Sequence, residues 1–179
     1  MTSNAGTATE RGLPSTASGL LLGLGLGGFL DGIILHQVLQ WHHLVSDVDA
    51  YPANTVAGLE VNTLSDGFFH LATWALVLAG SVAALKAWRE GRMAPSWSFH
   101  VGLLLVGWGA FNVVEGVVNH HLLGVHHVRD DLGAPLSWDL GFLLLGVLLV
   151  IGGWLVHRHG VARMPIHAAH GAPETVSLP

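Results

Sequence analysis

The sequence lacks cysteine altogether and has few charged residues. Without cysteine the chain cannot form disulfides, thiolate zinc sites, iron–sulfur clusters, covalent c-type haem or cysteine-bridged copper. Charged residues make up only 11% of the 179 residues, whereas a soluble domain carries about 25%. Lys and Arg together number 7, and the net charge is −5. The chain therefore has no basic stripe for phosphates, and we expect no nucleic acid partner.

Apolar residues are correspondingly abundant, at 51% of the chain. A helix needs roughly 20 apolar residues to cross a bilayer core, and four runs meet this length: about Leu20–Leu44, Gly67–Trp88, Phe99–Leu123 and Leu136–Val156. We therefore predict an all-α membrane protein, a four-helix transmembrane bundle in the lipid bilayer. Residues 18–157 form the membrane domain, and polar tails at 1–17 and 158–179 are predicted to be disordered.

The basic residues lie unevenly along the chain. The loop between the second and third runs and the two tails hold six of the seven, and the opposite side holds only Arg129. Basic residues concentrate on the cytoplasmic side of membrane proteins. This distribution predicts that both termini are cytoplasmic (N-in, C-in).

One sequence pattern occurs twice. Residues 31–43 and 115–127 share the order acid-Gly-x-x-x-His-(Gln/His)-x-x-x-x-His-His, with a constant offset of 84 residues and no gap. Agreement at an acid, a glycine and three histidines indicates a two-helix hairpin duplicated in tandem, with units at about 18–90 and 98–157. Two spans per unit would give both copies the same direction in the membrane.

The repeat and its surroundings contain ten candidate metal ligands. Ionisable side chains inside a membrane span are costly and usually mark functional sites. The candidates are Asp31, His36, His42, His43, His70, Glu115, His120, His121, His126 and His127. We place His36, His70 and His120 first, and we expect Asp31 and Glu115 to bind the metal or to orient imidazoles.

Regular helices would separate these candidates by depth. At 1.5 Å per residue, His36 and His43 would lie about 10 Å apart, too far to share one ion. The order expected from the extracytoplasmic surface inwards is His42, His43, His126 and His127, then His36, His70 and His120, then Asp31 and Glu115. Asp66, four residues before His70, is expected to orient that imidazole or to cap its helix.

Three functions fit these residues. Imidazole and carboxylate ligands suit zinc, iron or oxidised copper, and such a centre could serve a redox or oxygen-chemistry enzyme, or with zinc a hydrolase. A second reading is a b-type cytochrome, with His36 and His120 as axial ligands of haem b. A third is a proton or metal transport protein in which the same acids and histidines carry the proton or the ion. A homodimer could complete the ligand set.

The motifs resemble those of an uncharacterised family of bacterial membrane proteins, domain of unknown function 2243. The resemblance covers about residues 18–157 and rests on Gly28–Gln37 with Gln40–His43, on Asp66–His70, and on Asn112–His121 with Gly124–Arg129. It implies a small four-span protein of the bacterial inner membrane. It implies no established activity, so the function has to be argued from the residues.

Overall fold

The computed structural model describes residues 13–164, and within this range every regular element is helical. Four helices are long and apolar enough to cross a membrane, which confirms the predicted fold class. They are α1 (Ala17–Asp31, continued without a break by the π-helix Gly32–Val38), α2 (Val56–Arg89), α3 (Trp97–Glu115, continued by the π-helix Gly116–Leu123) and α4 (Leu136–Ala162). A short 3-10 turn, Asp130–Leu132, precedes α4.

The helix ends differ from the predicted runs on one side of the molecule. The first helix ends at Val38 rather than at Leu44, and α2 begins at Val56 rather than at Gly67. Polar residues, among them Glu60, Asn62 and Asp66, interrupt the first turns of α2, so no unbroken apolar run marks where this helix begins. The side chain of Thr55 caps this end by accepting from Gly58 N. The tail predictions for residues 1–12 and 165–179 fall outside the described residues, and α4 continues to Ala162.

The helices pack around a central pair. α1 contacts α3, α2 packs against α1, and α4 packs against α3; within residues 13–164, α2 and α4 do not touch. Glycines permit the central contact. A Cβ added to Gly23 would lie 2.1 Å from the carbonyl oxygen of Leu104, and one added to Gly107 would lie 2.3 Å from that of Leu20. The two backbones thus approach as closely as small-residue helix pairs do in membranes.

The distribution of polarity is the reverse of that in a soluble protein. Large apolar side chains cover the outside of all four helices, whereas most of the fully buried large side chains are histidines or acids. A surface of this kind is stable where lipid replaces water, so a bilayer environment follows from the exposed residues. The buried polar groups gather towards one end of the bundle, beside the irregular segments 39–55 and 124–135.

Replacing Gly23 with Val should destabilise the fold. The new side chain would enter space occupied by the α3 backbone, and forced overpacking costs about 1–3 kcal/mol. Thermal unfolding in detergent should therefore occur at a lower temperature than for the unchanged protein. Gly152→Val is the matched control, because a Cβ at Gly152 meets nothing within 4 Å. Equal unfolding temperatures for the two variants would contradict the close α1–α3 contact.

Candidate metal centre

The two central helices change their winding at matching points. α1 becomes a π-helix directly after Asp31, and α3 does so directly after Glu115. π-helical turns are rare and occur frequently at functional sites. Shortly after each π-helix, one residue has a backbone in the left-handed region. It is Gln40 (φ 51°) after the first π-helix and Gly124 (φ 56°) after the second. The chain therefore leaves both helices at equivalent positions, 84 residues apart.

The segments after these turns fold back over the helix ends. They bring His42 and His126 into the interior, where the two residues are 2% and 0% exposed. The imidazole rings of His42 and His126 stack in parallel, with centroids 4.7 Å apart. His36 lies 4.5 Å from His42, and His120 lies 4.9 Å from His126, both centroid to centroid. The predicted separation into layers is wrong, because it assumed a continuous helix through residue 43.

Each half of the protein fixes a histidine of the other half. The Nδ1–H of His42 donates to the Val128 carbonyl oxygen at 3.0 Å, and the Nδ1–H of His126 donates to the Leu44 carbonyl oxygen at 2.9 Å. A carbonyl oxygen can only accept, so both Nδ1 atoms carry the proton. In the neutral imidazoles the Nε2 atoms then keep free lone pairs, the form that binds metals.

Asp66 and Asp139 support the histidines from outside. Asp66 accepts from the Nδ1–H groups of His36 at 2.8 Å and His43 at 2.7 Å, and from Leu44 N at 2.9 Å. On the other side, Asp139 accepts from the Nδ1–H of His127 at 2.6 Å and from Val128 N at 2.9 Å.

His120 belongs to the same arrangement, since its Nδ1 lies 3.3 Å from Asp139 Oδ1. The carboxylate of Asp66 orients imidazoles, as expected, but those of His36 and His43 rather than that of His70. The helix cap is Thr55, not Asp66.

Two carboxylates reach the imidazoles from the interior. Glu115 Oε1 lies 2.7 Å from His126 Nε2, and Glu115 Oε2 lies 3.2 Å from His120 Nε2. Asp31 Oδ2 lies 3.4 Å from His36 Nε2. With Nδ1 of His126 protonated, the short contact to Glu115 is attractive only if Nε2 also carries a proton or if both atoms bind one cation.

Five of the ten candidates form two groups of three residues that share His126, and each group comes close enough to hold an ion. Single ligand atoms of His36, His42 and His126 lie within 4.8 Å of one another, and so do those of Glu115, His120 and His126. We call these five residues the central cluster. Asp31 borders it through His36.

The other four candidates lie outside the central cluster. His43 and His127 bind the outer carboxylates. His70 donates from Nδ1 to its own helix at the Asp66 carbonyl oxygen, 2.8 Å away, and lies edge-on against Phe29. His121 is exposed.

Several buried polar atoms of this region have no hydrogen-bond partner among the described residues. They are Asp31 Oδ2, His36 Nε2, His42 Nε2, Glu115 Oε2, and both ring nitrogens of His120. A buried polar atom without a partner costs about 1–3 kcal/mol. A single ion bound by several of these atoms would remove most of that cost.

The ionisation of His42 favours a ligand role. Burial, followed by the neighbouring imidazoles of His126 and His36, holds the pKa of His42 well below its ordinary value of 6.5. The imidazole therefore stays neutral at neutral pH, and its lone pair is available to a metal.

The two irregular segments also bind each other. Asp47 N donates to the Val125 carbonyl oxygen at 3.0 Å, Asp131 N donates to the Trp41 carbonyl oxygen at 3.2 Å, and the Ser46 hydroxyl donates to Asp130. Asn62, which is 0% exposed, ties the first segment to α2 by donating to the Tyr51 carbonyl oxygen.

The sequence did not predict Asp139 and Asn62 as positioning residues. A weak similarity between the residues around Asp139 and those around Asp66 is the signal that could have identified Asp139.

Replacing Asp66 with Asn should destabilise the protein strongly. The amide can no longer accept from both imidazoles and from Leu44 N, and removal of one partner from a buried charged pair costs about 3–5 kcal/mol. Thermal unfolding in detergent should show a large decrease in melting temperature. Asp131→Asn is the control, because Asp131 is itself exposed and its side chain pairs only with the neighbouring Arg129 among the described residues. Pairs at exposed positions contribute about 0–1 kcal/mol. Equal effects of both variants would contradict the role of Asp66.

The chain matches one family model, over residues 18–160. The family is described as predicted membrane protein, domain of unknown function 2243. No curated protein and no solved structure matches the chain. The match covers most of the chain, including all four helices and the central cluster, so the chain belongs to this family of predicted membrane proteins.

Proposed function

We propose that this protein is a membrane metalloprotein whose central cluster binds a transition metal. One observation carries the proposal: ring nitrogens and carboxylate oxygens from both halves converge in the interior, and several have no partner among residues 13–164. A purely structural network would pair these atoms with each other or with the backbone. The Nδ1 atoms of His36, His42 and His126 are already hydrogen-bonded. By contrast, Nε2 of His36 and His42 and both ring nitrogens of His120 have no partner among residues 13–164 and could bind an ion.

The donor set indicates which metals fit. Glu115, His120 and His126 form a group of two imidazoles and one carboxylate, a combination that leaves coordination positions open and is typical of non-haem iron and of catalytic zinc. Oxidised copper also accepts these ligands. Iron or copper would support redox or oxygen chemistry in an oxidoreductase. Zinc would support hydrolysis through a bound water of lowered pKa.

The geometry favours an ion over haem b. The haem proposal needs open space between His36 and His120 for a porphyrin. The stacked rings of His42 and His126 lie between them, since His42 is 4.5 Å from His36 and 6.3 Å from His120, centroid to centroid. All five residues of the central cluster belong to one chain, so the proposed centre does not require a homodimer.

Elemental analysis of the purified protein tests the proposal directly. We expect at least one equivalent of copper, iron or zinc per chain and no Soret band in the absorption spectrum. His120→Ala should lower the metal content at least tenfold. His121→Ala is the matched control, because the neighbouring residue is exposed and outside the central cluster. A Soret band would instead support the cytochrome.

Two further results would contradict the metal centre. Equal losses of metal from the His120 and His121 variants would mean that the central cluster is not the site. No bound metal after expression with each metal supplied would favour the proton-relay or transport function.

The proposed inner-membrane orientation places the central cluster near the extracytoplasmic side. Support comes from the basic residues, because Lys86 and Arg89 lie at the opposite end of α2 from the irregular segments. The matched π-helices and the crossed histidine contacts likewise support the proposed tandem duplication.

A chain without cysteine permits a simple test of orientation. A membrane-impermeant maleimide should label Asp49→Cys in intact spheroplasts, and should label Lys86→Cys only after permeabilisation. Both positions are exposed in the structure. The reverse labelling pattern would overturn the N-in, C-in arrangement.

A further inference from the structure

A cavity of about 530 Å³ lies beside the central cluster, between α1, α3 and α4. Its size falls within the range of about 300–1,000 Å³ that is typical of small-molecule sites. Its walls are mainly aromatic and aliphatic, with few polar groups. The residues that matter most are Trp41, Trp108, Trp138, Phe142, Asp31 and Asn112.

Asp31 connects this cavity to the central cluster. It lines the cavity, and its Oδ2 lies 3.4 Å from His36 Nε2. The Asp31 side chain is 6% exposed, and Oδ2 has no hydrogen-bond partner within the described part of the chain. A molecule in the cavity would thus have a carboxylate at its polar end, directly next to the proposed metal.

The cavity opens towards lipid rather than towards water. Leu30, Ile34 and Leu145 line it and remain 40%, 43% and 49% exposed, and all three belong to membrane-length helices. Trp41 and Trp138 also line the cavity, with ring centroids 5.4 Å apart. The guanidinium of Arg129 covers both rings, at 4.3 and 5.0 Å.

Two glycines line the cavity at positions where the other half of the chain has phenylalanine. Gly27 corresponds to Phe111 by the offset of 84, and Gly141 corresponds to Phe68 by the offset of 73 that relates Asp139 to Asp66. A Cβ added to Gly141 would meet nothing within 4 Å. Gly141 therefore contributes no side chain to the wall of the cavity.

We propose that this cavity binds an uncharged, lipid-soluble aromatic alcohol, a phenol or quinol, as the substrate of the proposed metal centre. Three tryptophans and Phe142 provide surfaces on which a flat ring packs in stacked or edge-on contact. The hydroxyl donates its proton to Asp31, which supplies the buried acceptor. The substrate role rests on the proposed function, whereas binding to the cavity can be measured separately from metal content.

The test uses bromothymol, a flat and lipid-soluble phenol whose bromine quenches tryptophan fluorescence on contact. Titration of the purified protein in detergent should give saturable quenching. Gly141→Phe adds a bulky ring to a residue that lines the cavity, and it should weaken binding at least tenfold. Gly152→Phe is the matched control on the same helix, because Gly152 also faces open space, and it should bind as the unchanged protein does.

The methyl ether of bromothymol tests the hydroxyl. It retains the ring and the bromine but has no proton to donate to Asp31, so it should bind at least tenfold more weakly. Non-saturable quenching, or equal binding by the two Phe variants, would overturn the proposal, and so would equal binding of the phenol and its ether. Metal analysis of the same samples separates the two ideas: saturable, Gly141-dependent binding without metal would remove the metal centre and leave the cavity assignment intact.

Discussion

The architecture depends on burying imidazoles and carboxylates at membrane depth, where no water is available to solvate them. Asp31, His36, Glu115 and His120 lie on membrane-length helices and are all nearly inaccessible. An isolated group of this kind is costly in hydrocarbon, so the surrounding chain has to provide partners. The outer polar atoms find them in Asp66, Asp139 and two backbone carbonyls. Several of the inner atoms have no such partner within residues 13–164, and this is the observation on which the proposed bound ion rests.

Each half of the chain supplies partners to the other half. The carbonyl groups of Leu44 and Val128 each hold a histidine that lies 82 and 86 residues away in sequence. The amide groups of the same two residues donate to Asp66 and Asp139. In each irregular segment, one residue is therefore held through both its amide group and its carbonyl group. The helices provide the enclosure, and the two segments determine where His42 and His126 lie.

Sequence reasoning identified the four helices because apolar length is a direct requirement of the bilayer. It identified the acids and histidines because ionisable groups are conspicuous in such runs. It could not place them in space, because helical geometry was extended through residues 38–43, where the chain in fact turns at Gln40. His42 therefore appeared distant from His36. The contact expected between His70 and the Asp66 carboxylate was wrong for a different reason. The spacing of four residues fitted that contact, but the His70 ring donates to the Asp66 carbonyl oxygen of its own helix instead.

The differences between the halves carry as much information as their agreement. The agreement builds the central cluster and its surroundings. Each half contributes two inner histidines to the cluster, one acid within it or at its border, and one carboxylate outside it. If the halves were identical, access would also be identical on both sides. Instead, Phe111 and Phe68 stand on one side where Gly27 and Gly141 stand on the other. The lipid-facing cavity beside Asp31 has glycines among its lining residues, at Gly27 and Gly141. Under the proposed function, a ligand set built from both halves with a cavity on one side would admit a membrane-soluble molecule to the centre.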